Sequence, residues 1–330
     1  MTSGGTLPVA LDAMGGDHAP GAIVQGAREA VDEFGFDVVL VGPPDLVGDT
    51  LGLELVACSE VIGMEDDPAS SVRRKKDSSL VRAAELVRDG KACAMVSAGN
   101  TGATMASALL RMGRIRGVSR PCIATPLPRP GKTPTVLCDA GANAECTPEM
   151  LVQFAQMAGA FAASRFGIEA PLVGLLSIGE EPTKGTPLVK EAHKLLADPS
   201  SGVRFFGNVE GRDLIGAPVD VVVTDGFTGN VALKTLEGSL RFMFETITKI
   251  IGTDEATKAA GDVLFPHLLP IASDLDPDSH GGAMLLGLEG VCVISHGSSS
   301  ARAIKNALHV GHDLAAHGVV DALRAAVGHS

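Results

Sequence analysis

The sequence predicts a doubly wound α/β fold on a mostly parallel sheet, α/β/α in layering, with a helical hairpin protruding from it. Three observations carry this. Short apolar or β-branched runs alternate with helical patterns, most of these runs end in a polar loop containing glycine, and one stretch from Thr228 to about Ala272 shows two helical patterns in succession without a strand between them. The simplest organisation is a single unit spanning 1–330 with a helical extension at about 228–272, because no repeat, low-complexity tract or long linker divides the chain.

The elements follow in order. "LPVALD" reads as a strand and is followed by a helix from about Gly21; "DVVLVG" and "LELVAC" are strands, then a helix covers about Ser78 to Arg88, "KACAMVSAG" is a strand, and a helix starts at Thr101. "TPTVLCDAG" opens the second half, ahead of a long helix from about Thr147 to Phe166, the strand "PLVGLLSIG" and a helix from about Pro187 to Ala197. Three further strands are "VRFFGNVEG", "VDVVVTDGF" and "GVCVISHG". Strand–helix–strand repetition implies right-handed crossovers, which put the carboxyl ends of parallel strands on one rim.

That rim focuses the search for a site. The loops "DAMGGDHAP", "SAGNTGA", "CDAGAN", "SIGEEPTKG", "NVEGRD", "TDGFTGN" and "SHGSSS" are expected to converge on one ligand pocket. They supply Asp12, Gly15, Gly16, Asp17, Asn100, Thr101, Gly102, Asp139, Asn143, Glu180, Glu181, Asn208, Asp225, Asn230, Ser298 and Ser299 as candidate substrate and phosphate contacts. Asn100-Thr101-Gly102 and Ser298-Ser299-Ser300 each precede a helix, whose free N–H groups and positive dipole end favour a phosphate or carboxylate. Taken singly, each loop is also ordinary turn chemistry.

Composition excludes several function classes. The net charge of −12, from 27 Lys+Arg against 39 Asp+Glu, disfavours general attraction to nucleic acid, and aromatics make up only 3% of the chain with Trp and Tyr absent. Six cysteines lack CxxC spacing and read as buried reduced thiols. The N-terminal stretch has no basic, apolar leader pattern, and no run reaches the roughly 18 apolar residues of a membrane span, so a cytoplasmic protein is expected. No GxGxxG, GxSxG or HExxH occurs, and "PRPGKTPT" fails as a phosphate loop because Pro126 occupies the first glycine position. Asp12, Asp17, Asp139, Glu180, Glu181 and Asp225 could gather round Mg²⁺, but without ligand spacing they read instead as partners for Lys184, Lys234 and His296; no metal or cofactor is expected.

With these loops assembled, the sequence resembles the PlsX family of bacterial phosphate acyltransferases. The resemblance runs through "LDAMGGDHAP", "RRKKDSSL", "VSAGNTGAT", "CDAGAN", "LLSIGEEPTKG", "GNVEGRD", "DGFTGNVALK", "GGAMLLG" and "SHGSSSARAIKNA". Three positions depart from it: His280 where tyrosine is common, Met284 where proline is, and Ser300 where aspartate is. It implies a fold related to those of phosphate acetyltransferase and isocitrate-type dehydrogenases, a homodimer, and formation of acyl-phosphate from acyl-[acyl-carrier-protein] and inorganic phosphate. It also implies delivery of that product to a membrane glycerol-3-phosphate acyltransferase in phospholipid synthesis.

Given that reaction, Lys184 or Lys234 would supply positive charge, and His18 or His296 would protonate the departing thiolate or orient a neighbour. No cysteine has a histidine partner in its motif, so direct attack by phosphate is expected rather than an acyl-cysteine. Carrier-protein docking would use "RRKK" at Arg73 to Lys76 or the series Arg111, Arg114, Arg116 and Arg120, unless these are only solvated faces. The hairpin's apolar residues would pack on a dimer mate or touch the inner face of the cell membrane peripherally. Two rivals stand beside this reading: a short-chain enzyme using coenzyme A thioesters, and a non-catalytic membrane-associated scaffold that binds acyl carrier protein.

Overall fold

A computed structural model describes residues 7–328, apart from 217 and 280. His280 therefore lies outside the described residues. One sheet holds β1 (Val9–Asp12), β2 (Val38–Gly42), β3 (Glu54–Ala57), β4 (Ala94–Ser97), β5 (Cys122–Leu127), β6 (Thr135–Cys138), β7 (Val173–Leu176), β8 (Phe205–Val209), β9 (Val221–Val223), β10 (Ala283–Leu286) and β11 (Val291–Ile294). Their spatial order is β3-β2-β1-β4-β11-β10-β5-β6-β9-β7-β8. The pairing is mostly parallel, as the alternation of elements predicts; β11–β10, β10–β5 and β5–β6 are antiparallel.

β5 and β10 are not legible in the sequence. Pro121 and Pro126 obscure the first, although Pro126 pairs with Val136 within the ladder, and "AMLL" between glycines is too short to show a period.

These antiparallel strands reverse the direction of the sheet at its centre. β1, β4 and β11 run one way, while β6, β9, β7 and β8 run the other. The expectation that all seven polar loops share one rim is thereby corrected: the loops after β1, β4 and β11 leave one edge of the sheet, and those after β6, β7, β8 and β9 leave the opposite edge. A single rim requires an all-parallel sheet, which β5 and β10 interrupt.

Alternating side chains build a core on each face. Val9, Leu11, Val96, Cys138, Val223 and Val293 point to one face, where Gly21–Phe34, Pro148–Phe166, Ala301–Ala316 and Val319–Val327 cover them. On the other face the buried side chains form two clusters. Ala10, Val39, Met95 and Cys292 lie under Ser79–Arg88 and Thr101–Arg111, whereas Leu137, Leu176 and Val222 pack with Ala232, Leu233 and Leu236 of Gly226–Ile251. The two clusters meet at β10 and β5: Leu285 and Ile123 belong to the first and Leu127 to the second. Short turns join β10 to β11 and β5 to β6, so neither connection places a crossover helix over them.

Gly226–Ile251 and Glu255–Leu275 are consecutive helices joined at Gly252–Asp254. Asp225 caps the first by accepting from the Thr228 N–H at 2.9 Å, and Asp254 with Thr257 forms a capping box on the second. Phe242, Met243, Ile250, Val263, Leu264 and Leu269 are exposed along this pair. No helix among the described residues is long and apolar enough to cross a membrane.

The first of these helices is fixed to the sheet by backbone packing at its start. A Cβ on Gly229 would lie 1.9 Å from the Asp139 carbonyl oxygen, and one on Gly226 would lie 2.6 Å from that of Asn143. Gly229→Ala should therefore destabilise the protein by about 2 kcal/mol or more. Gly238→Ala, on the same helix with nothing within 4 Å, should be neutral or stabilising by up to about 1 kcal/mol. Chemical denaturation of both variants checks the contrast.

Candidate active site

Adjacent strand ends create the first wall of the site. Register pairs Leu11 with Val96 and Val96 with Val293, so Asp12, Ser97 and the start of the loop after β11 lie side by side. Ser97 Oγ donates to the buried Asp12 Oδ2 at 2.8 Å and accepts from the Gly99 N–H at 3.0 Å. The Ser295 N–H donates to the Ser97 carbonyl at 2.9 Å, and the Ser295 and Ser299 hydroxyls are 2.8 Å apart. Gly15 must lack a side chain because a Cβ there would meet the Gly99 nitrogen at 2.6 Å; Gly16, at φ +102°, would press on the Gly297 carbonyl. The Asp17 N–H donates to that same carbonyl at 2.8 Å.

Asn100 occupies the N-cap of Thr101–Arg111. Its Oδ1 accepts from the Ala103 N–H at 3.0 Å, and its Nδ2 donates to the Met64 carbonyl at 2.8 Å and the Asp66 carbonyl at 3.2 Å. Its side chain is thus committed to shaping the loop, while Gly99 and Thr101 face the cavity described below. Gly102 packs against Pro68.

Ser300 similarly caps Ala301–Ala316, accepting from the Ala303 N–H and donating to Asp278 at 2.6 Å. Met284 is a buried member of β10. Both departures from the expected family pattern are accommodated locally.

The cavity between the two core clusters has a volume of about 980 Å³. Asp17, Gly99, Thr101 and Ser295 to Ser299 line one side; Ile123, Thr125, Leu127, Ala140, Gly141 and Ala283 form the floor; Asn230, Leu233, Lys234, Leu236, Leu240, Arg241 and Phe244 form the wall opposite. Arg241, the floor from β5 and β10, and the apolar stripe on the helix are not among the residues that the strand-end loops suggest. The last was legible as spacing: 233, 236, 240 and 244 share one helical face.

Two candidate cations occupy different places. Lys234 lies on the lining, 2.9 Å from Glu237. Lys184 belongs to the loop after β7, outside the lining, with Glu180 paired to Arg212 at 3.2 Å and the Glu181 carbonyl accepting from Asn208 Nδ2 at 2.9 Å. Asn208 also meets His193 Nδ1 at 2.9 Å. β7 lies five strand positions from β11, roughly 24 Å at normal strand spacing.

Histidines separate in the same way. His18 is exposed beyond the lining, whereas His296 lines the cavity. His296 Nδ1 accepts from the Ser298 N–H at 3.3 Å and lies 2.8 Å from the Ser298 hydroxyl. Both contacts involve Nδ1, so Ser298 fixes the orientation of the ring through that nitrogen.

The acidic candidates are split between the two edges. Asp12 and Asp17 belong to the first; Asp139, Asp225, Glu180 and Glu181 leave the second. Among the described residues, no group of three or more metal-binding side chains is gathered. Asp139 is a buried knot for its own loop, accepting from the N–H groups of Ile123, Gly141, Ala142 and Asn143 and from Asn143 Nδ2. Burial pushes the carboxyls of Asp12 and Asp139 up, against the opposing pull of those hydrogen bonds.

Comparison with known proteins identifies the fold and family. A family model described as "Fatty acid synthesis protein" matches residues 7–322. The chain belongs to this family. It is 45% identical over 328 residues to a phosphate acyltransferase of Pelotomaculum thermopropionicum, covering 97% of this chain and 95% of the relative. It is 47% identical over 315 residues to one of Heliobacterium modesticaldum, covering 92% of each. In fold it resembles the EutD phosphotransacetylase from Staphylococcus aureus (TM-score 0.62, 17% identity, 94% of each chain). It also resembles a 4-hydroxythreonine-4-phosphate dehydrogenase from Klebsiella pneumoniae (TM-score 0.55, 12% identity, 94% of this chain and 100% of that one).

The buried carboxylate beneath the first wall makes a pH prediction. A raised folded-state pKa means that the protonated form of Asp12 is favoured by folding, so its contribution falls as pH rises above the solution value of 3.8. Asp12→Asn carries no such charging cost. The stability of Asp12→Asn relative to the unsubstituted protein should improve progressively as pH rises through that window in a denaturant series, and a pH-independent difference would contradict it.

Proposed function

We propose that this chain transfers an acyl group from acyl carrier protein to inorganic phosphate, releasing acyl-phosphate and the free carrier thiol. The observation that carries the reading is the near full-length match to a family whose relatives are phosphate acyltransferases. The cavity supports it, since loop residues at the strand ends on one side face a helical wall that carries Lys234 and Arg241 together with Leu233, Leu236, Leu240 and Phe244.

Phosphate near neutral pH is largely dianionic and needs no strong base to attack a thioester. Its oxygen bonds the carbonyl carbon, the carbon–sulfur bond breaks, and the proton released by phosphate ends on the thiol through solvent. The protein's task is to hold the anion and stabilise the tetrahedral oxyanion. The phosphate is assigned to the space between the starts of Thr101–Arg111 and Ala301–Ala316, with Lys234 and Arg241 supplying positive charge.

His296 is assigned to the oxyanion. Its Nδ1 is held by Ser298, which leaves Nε2 as the ring nitrogen to meet the developing negative charge. Burial supports direct attack over an acyl-cysteine: the thiols of Cys58 and Cys146 are pushed up to about 11 and that of Cys292 to about 12, leaving little thiolate at neutral pH.

Docking is assigned to the side of Arg73 and Arg74, on the short helix Pro68–Arg74 that packs beside Asn100 and Gly102. Arg114 and its neighbours follow the far end of Thr101–Arg111, where Ile115 bonds the Gly287 carbonyl. The exposed apolar residues of the helical pair support a homodimer contact, with peripheral attachment to a membrane as the rival use of that face. Either arrangement suits a product consumed by a membrane glycerol-3-phosphate acyltransferase, and the continuous sheet supports one catalytic unit.

Phosphate-dependent formation of acyl-phosphate from hexadecanoyl-[acyl-carrier-protein], compared with hexadecanoyl-coenzyme A, tests the reading. Binding without turnover would favour a scaffold, and preference for the coenzyme A thioester would favour the short-chain class of enzyme. His296→Ala should lower kcat roughly a hundredfold in a folded protein. Arg73→Glu with Arg74→Glu should raise KM for the carrier substrate about tenfold with little change in kcat, whereas Arg114→Glu with Arg116→Glu should leave KM unchanged.

A further inference from the structure

We propose that the seam between Gly226–Ile251 and Glu255–Leu275 seats the acyl chain, and that Ala272 and Phe244 set the chain length accepted. The inference rests on the acyl-transfer reading and identifies the part of the cavity that measures the substrate.

Gly99, Thr101, Ser298 and Ser299 meet the cavity from the strand ends, while Leu236, Leu240, Phe244, Ala272 and Leu275 meet it from the helices as an apolar stripe flanked by Lys234, Glu237 and Arg241 and by Asp276 and Asp278. A thioester would place its reacting carbonyl among N–H donors and leave an unbranched hydrocarbon tail to find apolar cover. The helical stripe supplies that cover in steps, and its reach from Leu233 to Phe244 is about 16 Å at the rise of an α-helix. That is a length suited to a long acyl chain.

The side chains of this stripe are half-buried, although they are among the most apolar on the helix. Their remaining exposure faces the cavity, which they line. An occupant of matching shape and apolarity would complete their burial, whereas a short acyl group would leave the outer steps uncovered.

The seam also has an end. Near the join of the two helices, a Cβ on Gly261 would come within 2.3 Å of Ile251 Cγ2, so the helices are in close contact there. Toward the sheet, Ala272 presents only a methyl group to the cavity, which Leu240 and Phe244 also line. Phe244 is the last residue of Gly226–Ile251 on that lining, so the proposed channel passes Ala272 and ends at Phe244. Enlarging the side chain at 272 should shorten the channel; removing the ring at 244 should lengthen it.

The test uses octanoyl, dodecanoyl and hexadecanoyl thioesters of acyl carrier protein with the full-length enzyme. Ala272→Trp should lower kcat/KM for the hexadecanoyl substrate roughly tenfold or more relative to the octanoyl one, with the KM for phosphate unchanged. Phe244→Ala, which removes bulk from a half-buried site and guards against misfolding of the first variant, should shift preference toward the longest chain. Binding of a fluorescent long-chain fatty acid should weaken in parallel in Ala272→Trp, independently of turnover. Turnover with the same chain-length preference in both variants would overturn the inference. Absence of turnover from any thioester, with fatty-acid binding still lost in Ala272→Trp, would overturn the acyl-transfer reading and leave the seam as a chain-binding site.

Discussion

The reversal of strand direction at the middle of the sheet is the constraint on which the remaining architecture depends. In a parallel sheet each return connection lays a helix over the strands it crosses. β10 and β5 return through short turns, so the face above them receives no helix from those turns. The gap is a consequence of connectivity, and it becomes the cavity where strand ends from one half of the sheet meet a helix rooted in the other.

Two kinds of polar chemistry follow from this plan. At the first edge, Asp12, Ser97 and Ser295 hold neighbouring loops in register, so that N–H groups and hydroxyls present themselves to the cavity without freedom to collapse. At the second edge, Asp139 and Asp225 are consumed in holding their own loop and helix. Similar sequence signatures, an aspartate followed by small residues after an apolar run, therefore serve a cavity wall in one place and an anchor in the other.

This explains how far the sequence could be read. The alternation of elements, the parallel pairs and the two consecutive helices follow from periodicity that local physics enforces. Thr101, Ser298 and Ser299 could be recognised as polar groups at helix starts and do reach the cavity, as does the candidate cation Lys234. Lys184 and Asn208 carried the same local signature but lie elsewhere, because their strands run in the opposite sense. That sense is set by two short strands, one broken by proline and one masked by glycines, whose pairing is a long-range property invisible in a window of residues. Leu240 and Phe244 were missed for a different reason: an apolar stripe reads as packing until the empty space beside it is known.

The backbone contact between Gly229 and Asp139 has a mechanical meaning beyond packing. The helix it anchors has 26 residues, close to 39 Å, so a tilt of about 5° at the anchor would carry its far end roughly 3 Å. A helix held at its root and sparsely covered along its length acts as a lever, and the wall of the cavity is part of that lever. The width of the cavity is consequently tied to two carbonyl groups, those of Asp139 and Asn143, against which the helix is seated at its fulcrum.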